Sequence, residues 1–198
     1  PSSGRILMEG RDLLSLTPEE LRRKIIMVPQ TVSLFSGTLR ENLCLAAPEA
    51  SEQALWEALD DVWLKDWVLE QPLGLDTDVG DAGQKLSGGQ RQKIGIARAL
   101  LCQAEYIVFD EATSSVDLES EQEIWRCIDS LAQTRTLIII SHRLSTIRGA
   151  DNIYVLDRGQ VAQQGTHSQL MAEPGLYRRL VEEQTLLEQQ GEEGLHHG

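Results

Sequence analysis

Leu86-Ser87-Gly88-Gly89-Gln90 is a small polar pentapeptide at the head of a helical run that ends near Leu101. Two adjacent glycines let a ligand come close to the backbone, and the first-turn amides behind them, reinforced by the helix dipole, favour an anion, most simply a phosphate. Ser87, Gly88, Gly89 and Gln90 are therefore the first candidate binding residues. A plainer alternative makes Ser87 and Gln90 a capping box only, with Ile94, Ala97 and Leu101 packing inward. That box leaves the glycine pair unexplained. Three apolar strands also end in polar residues: Ile25 to Val28 in Pro29-Gln30, Tyr106 to Phe109 in Asp110-Glu111, and Leu137 to Ile140 in Ser141-His142. In open α/β sheets the carboxyl ends of strands are where ligand groups collect.

Taken in this order, the motifs resemble those of ATP-binding cassette (ABC) ATPases, the pentapeptide matching their LSGGQ signature, and the resemblance covers nearly all of the chain. It implies ATP and Mg2+ as cofactors and a phosphoryl transfer to water. Asp110 then stands where the family holds magnesium, through water, and Glu111 where it polarises the attacking water. His142 matches the switch histidine that contacts the γ-phosphate. Gln30 matches the glutamine that touches magnesium or the attacking water and reports nucleotide state. The family pairs two such domains head to tail, so Ser87, Gly88, Gly89 and Gln90 would serve the partner's ATP, while Gln30, Asp110, Glu111 and His142 serve the chain's own. Ala112-Thr113-Ser114-Ser115-Val116-Asp117 resembles the D-loop that crosses that interface. Asp117 is thus an interface and nucleotide-site candidate, with helix N-cap as its alternative role.

Two stretches resemble exporters in particular. Leu34 to Leu43 looks like the segment after the glutamine loop, and its Leu34 and Phe35 could line the groove that receives a membrane-domain helix. Thr77-Asp78-Val79-Gly80-Asp81-Ala82-Gly83 resembles the exporter loop TEVGERG, with aspartates for both glutamates and Ala82 for the arginine. The carboxylates survive there and the cation does not.

The elements that must position these residues form an α/β fold, a P-loop NTPase-type parallel sheet core with an inserted α-helical signature subdomain. Thr17-Pro18-Glu19-Glu20 reads as a helix start with Thr17 as cap and Glu20 closing the box. The continuous apolar runs at 106–109 and 136–140 read as parallel strands covered on both faces. Ile124, Ile128 and Leu131 mark one side of the helix between them, and Asn152 to Gln164 reads as a hairpin turning at Arg158-Gly159. From Gly37 to Leu101 the periodicity is helical, and Trp56, Trp63 and Trp67 return to one face as expected of a subdomain core rather than a ligand-stacking surface. The predicted layout is a partial nucleotide-binding domain over residues 1–185, with its core at 1–36 and 102–185 and the helical subdomain at 37–101. Residues 186–198 are predicted to fray as a polar tail.

With 18 basic against 31 acidic side chains the net charge is -13, which opposes a general nucleic-acid binder, although Arg91, Lys93 and Arg98 could make a local positive patch. The three cysteines lack metal-ligand spacing and read as free thiols. His196-His197 reads as a solvated tail. No run approaches the ~20 apolar residues of a membrane helix. The chain therefore reads as a soluble domain placed at the cytoplasmic face of the cell membrane through a transmembrane domain not present in it. One part of the chemistry is missing: none of the 16 glycines is followed by lysine, so GxxxxGK[ST] is absent. Pro1-Ser2-Ser3-Gly4 resembles the stretch just after the P-loop helix, so the P-loop is expected upstream of residue 1 and residues 1–198 alone are expected to be inactive. The sequence-based reading is the ATP-hydrolysing motor of an ABC exporter. The alternatives are a non-catalytic module derived from such a domain, and a chromosome-maintenance type ATPase, which would insert a long coiled coil where this chain has a short helical segment.

Overall fold

The computed structural model describes residues 4–113 and 116–195, and the chain falls into two units, residues 1–140 and 141–198. Pro1, Ser2, Ser3, His196, His197 and the D-loop residues Ser114 and Ser115 lie outside the described residues.

The first unit starts with the antiparallel pair β1 (Leu7–Met8) and β2 (Arg11–Asp12). Helix α1 (Pro18–Lys24) begins as its sequence predicts: Thr17 Oγ1 accepts from Glu20 N, the Glu20 carboxylate accepts from Thr17 N, and proline occupies the first turn. Strand β3 (Ile25–Val28) follows, then α2 (Leu39–Cys44), α3 (Glu52–Asp61), α4 (Lys65–Glu70) and the 14-residue α5 (Gly88–Leu101). Strand β4 (Tyr106–Asp110), helix α6 (Leu118–Leu131) and strand β5 (Thr136–Ile140) complete it. The sheet order is β3-β4-β5, all parallel, with Val28 opposite Phe109 and Asp110 opposite Ile140. Its helical crossovers obey the geometry that parallel neighbours require.

One core joins this sheet to the helices. Val28, Ile107 and Phe109 belong to the same buried cluster as Leu39, Leu43, Leu55, Leu59, Ile94, Ala97, Ile124 and Ile128. Coverage of both sheet faces is not what the described residues show: Met27, Ile138 and Ile140 remain 52%, 45% and 50% exposed. The continuous apolar runs thus contain one buried face and one that is only half covered. A second expectation also changes. Trp56 and Trp67 pack against the core, but Trp63 is 50% exposed and sits at φ 53, because it turns the chain out of α3 toward Leu64. Helical periodicity does not continue through a left-handed residue.

The second unit holds α7 (Leu144–Ile147), the antiparallel hairpin β6 (Ile153–Asp157) and β7 (Gln160–Gly165), α8 (His167–Ala172) and α9 (Leu176–Leu195). Arg158 and Gly159 both have positive φ, 48 and 78, the conformation of the tight hairpin turn that the sequence predicts. Helix α9 continues to Leu195, through most of the stretch expected to fray. The small core of this unit is Leu144, Ile153, Val155, Leu170, Tyr177 and Val181.

Among the described residues, the buried side-chain nitrogens and oxygens of the first unit are paired except for the Trp125 indole Nε1. Asn42 accepts from Phe35 N and from Arg98 Nη2 at 3.0 and 2.7 Å, and donates to Phe35 O and Thr38 O at 2.9 and 3.0 Å. Removing that amide takes the acceptor from Arg98 Nη2 and the side-chain partners from Phe35 N and O in a part-buried setting. Asn42→Ala is expected to cost about 2–4 kcal/mol in a denaturant titration of the first unit followed by tryptophan fluorescence. Cys127 is buried on α6 with its thiol donating to Asp61 O at 3.4 Å, and burial pushes its pKa up to about 12. A raised thiol pKa means that the neutral form persists, with only ~10⁻⁴ thiolate at pH 8. Alkylation with iodoacetamide at that pH should therefore modify the half-buried Cys44 and leave Cys127 unlabelled by mass spectrometry; comparable labelling of both would contradict the burial.

Candidate functional site

The sheet gathers three of the candidate residues at one edge. In the parallel register Val28 faces Phe109, so Gln30 and Glu111 each stand two residues past a matched pair, on neighbouring strands. Asp110 closes β4 opposite Ile140, and Glu111 N then donates to Ile140 O at 2.9 Å, carrying the ladder one residue beyond the strand. Glu111 itself has φ 47. A non-glycine residue in that region is strained, and such residues cluster where a side chain must be aimed. Asp110 and Glu111 are half-buried, while Gln30 is exposed.

Helix α5 opens as the sequence predicts. Ser87 Oγ accepts from Gln90 N at 3.1 Å and Gln90 Oε1 accepts from Ser87 N at 2.9 Å, a complete capping box. Two first-turn amides, those of Gly88 and Gly89, remain without an acceptor among the described residues. The box and the anion site are thus compatible rather than rival readings. Gly89 has a further cause that the sequence did not show. A Cβ there would lie 2.6 Å from Ser120 Cβ, so glycine is what lets α5 approach the start of α6.

Ser120 also connects the signature to Asp117. Asp117 is the N-cap of α6: Oδ1 accepts from Ser120 N at 2.9 Å and Oδ2 from Ser120 Oγ at 2.8 Å. The hydrogen bonds from the Ser120 backbone and hydroxyl hold its carboxyl below the usual aspartate range. The N-cap role is filled, on an exposed residue beside the signature helix.

His142 belongs to the second unit and is exposed. It sits in a turn closed by Ser141 Oγ, which accepts from Arg143 N at 2.9 Å and from Thr146 Oγ1 at 3.0 Å. Leu144 N donates to Gln184 on α9, so the chain after the histidine is anchored.

The three cations that could make a local positive patch are each engaged within the fold, Lys93 alone by a carboxylate. Arg91 donates to Leu86 O at 2.6 Å, Arg98 to Ser33 O and Asn42 O, and Lys93 is buried against Glu123 at 2.7 Å and Trp63 O at 3.3 Å. These cations hold the fold. Leu34 is likewise buried, packed where a Cβ on Gly83 would come within 2.6 Å of its Cδ1, and Phe35 alone of that pair is exposed. In the Asp78 to Gly83 loop the missing cation is replaced from further along the chain: Lys85 Nζ lies 2.6 Å from Asp78 Oδ2 and draws its pKa down. Asp81 accepts from Ser36 Oγ at 2.7 Å.

Sequence reasoning missed Gln92. It is 3% exposed, and its Nε2 donates to Pro29 O at 3.2 Å, next to Gln30. The available signal was a polar residue on the same helix face as Ile96 and Ala99. A cavity of about 590 Å³ opens elsewhere, between Glu57, Asp61, Leu101 and Arg135, and includes none of the candidate residues. Burial, with Asp60 and Glu57 nearby, raises the pKa of Asp61 there.

This arrangement has close counterparts among known proteins. The ABC transporter family model matches residues 1–114. An uncharacterised ABC transporter ATP-binding protein of Sinorhizobium fredii is 46% identical over 94% of this chain and 32% of its own length. An ATP-dependent lipid A-core flippase of Ralstonia nicotianae is 45% identical over 91% of this chain and 31% of its own. A solved bacterial Atm1-family ABC exporter with ATP bound superimposes with a TM-score of 0.85 at 39% identity, covering 92% of this chain and 32% of that one. The chain therefore spans about a third of the length of these relatives. With the parallel α/β sheet, the capped signature helix and the acidic strand end in place, the chain belongs to the ABC transporter family.

Proposed function

We propose that this chain is the ATP-binding and ATP-hydrolysing motor portion of an ABC exporter. The observation that carries the proposal is the register that brings Gln30, Asp110 and Glu111 to one sheet edge, in a chain 39–46% identical to ABC proteins that include an ATP-bound exporter. Glu111, turned off its strand and fixed by the bond to Ile140 O, is the group that takes a hydrogen bond from the attacking water and raises its nucleophilicity. His142 is the residue that the family resemblance assigns to the γ-phosphate. The amides of Gly88 and Gly89, at the positive end of α5, supply donors for a phosphate.

Magnesium suits the oxygen donors at the edge. Asp110 offers a carboxylate and Gln30 an amide oxygen, and among the described residues no group of three or more His, Cys, Asp or Glu forms an all-protein cage. That matches an ion that keeps its waters and uses one or two carboxylates plus substrate phosphates. Bound there, it would neutralise charge on the β- and γ-phosphates.

The partners follow from the same reading. A second nucleotide-binding domain meets the Ser87 to Gln90 helix start and Asp117 head to tail, and a transmembrane domain holds the chain at the cytoplasmic face of the membrane, with Phe35 an exposed apolar residue a few positions after Gln30. Residues 37–101 act as the inserted helical subdomain. No helix among the described residues is long and apolar enough to cross a membrane.

The test uses the longest reading frame that contains these 198 residues. Glu111→Gln should retain ATP binding and lower turnover by roughly a hundredfold or more, an effect of general-base size; unchanged turnover would remove Glu111 from the mechanism. For the dimer, Ser87→Arg in one of two distinguishable domains places a bulky cation where a phosphate would approach the capped amides. Site-resolved nucleotide trapping should then fail at the P-loop of the unmodified domain. Loss confined to the mutated domain's own P-loop would refute the head-to-tail arrangement.

A further inference from the structure

One face of α5 carries Gln92, Gly95 and Arg98, each three residues after the last, and all three touch the segment that leaves β3. Gln92 Nε2 donates to Pro29 O at 3.2 Å. At Gly95 a Cβ would stand 2.5 Å from Val32 Cγ2, so helix and loop meet there only because the side chain is absent. Arg98 Nη1 donates to Ser33 O at 2.8 Å while Nε holds Asn42 O at 2.7 Å. Residues three apart on a helix are surface neighbours, so these contacts form a single seam.

Gln92 is the informative member. Burying a primary amide is unfavourable unless it is hydrogen-bonded, and an aliphatic side chain would match its buried neighbours Ile96 and Ala99. What the bond adds is position. It fastens the residue before Gln30 to a helix whose first turn, less than one turn away, is Ser87 to Gln90.

We propose that Gln92 is a positioning residue, which holds Gln30 at a fixed setting relative to the Ser87–Gln90 helix start so that a displacement of either phosphate-site segment is passed to the other. This rests on the ATPase reading above. Gly95 and Arg98 extend the same seam and keep Val32 and Ser33 moving with α5.

Gln92→Met tests the role with shape nearly conserved and the donor removed. Thermal stability of the 198-residue chain should be unchanged or raised, since an unfavourable buried amide is lost. The ¹⁵N order parameters of Gln30 and Thr31 should fall from ~0.85 to below ~0.6, with those of α3 unchanged. In the longest reading frame, kcat for ATP should fall about ten- to a hundredfold while KM stays within about twofold, the pattern of lost positioning rather than lost binding. Gly95→Ala, which displaces Val32 without touching the hydrogen bond, should give the same split. Order parameters at Gln30 and Thr31 that match the wild type, or an unchanged kcat despite their fall, would overturn the proposal. A wild-type protein that turned over no ATP would instead sink the ATPase reading, and the order parameters alone would then decide the tether.

Discussion

Burial of α5 is the constraint on which the rest of the first unit depends. Gly89, Gln92, Lys93, Ile94, Ile96, Ala97 and Ala99 are all buried, so the helix is enclosed around much of its girth, and its exposed end is the Ser87 cap. Enclosure forces each polar group on it to find a partner, since an unpaired buried charge costs far more than a surface one. Lys93 finds Glu123 on α6 and the Trp63 carbonyl; Arg98, whose pKa is lowered by desolvation, finds Asn42 and Ser33. The helix start is thereby presented to solvent by a body that cannot easily shift beneath it.

That arrangement changes the electrostatics of the signature. On a chain with net charge -13, the cations nearest the pentapeptide are already spent on backbone carbonyls and on Glu123. Backbone amides and the helix dipole supply the donors for a phosphate at Ser87 to Gln90, and these act at short range and need the ligand close to Gly88 and Gly89. Recognition of this kind depends on geometry more than on long-range steering. It also explains why Gly89 has to satisfy two demands at once, a close ligand on one side and the Ser120 contact on the other.

The features legible in the sequence are the ones that local chemistry decides. Thr17 and Ser87 each close a capping box with a residue three positions on, and α5 ends at Leu101 as its periodicity requires. The parallel strands and the hairpin at Arg158-Gly159 were readable for the same reason. What the sequence hid is decided by residues far apart in it. Trp63 leaves the core because its backbone turns left-handed between two helices; Leu34 is buried by Gly83, 49 positions on; and Lys93 and Arg98 are held by Glu123, Asn42 and Ser33, partners 30 to 65 positions away. Likewise, Gln30, Asp110 and Glu111 could be named from their places after strands, but their common edge follows from strand order and register.

Glu111 shows how the two levels meet. Its left-handed backbone costs of order 1–3 kcal/mol, and such strain persists only where surrounding structure over-determines it. The over-determination is visible: β4 is paired on both sides, Phe109 is fully buried, and the bond from Glu111 N to Ile140 O ties the residue to β5 before the chain turns away. A right-handed or extended residue here would be the cheaper choice for a simple strand end. The sheet instead spends part of its pairing energy on turning one carboxylate at the edge where Asp110 and Gln30 stand, which is the expected sign of a side chain whose direction is used rather than one that merely faces solvent.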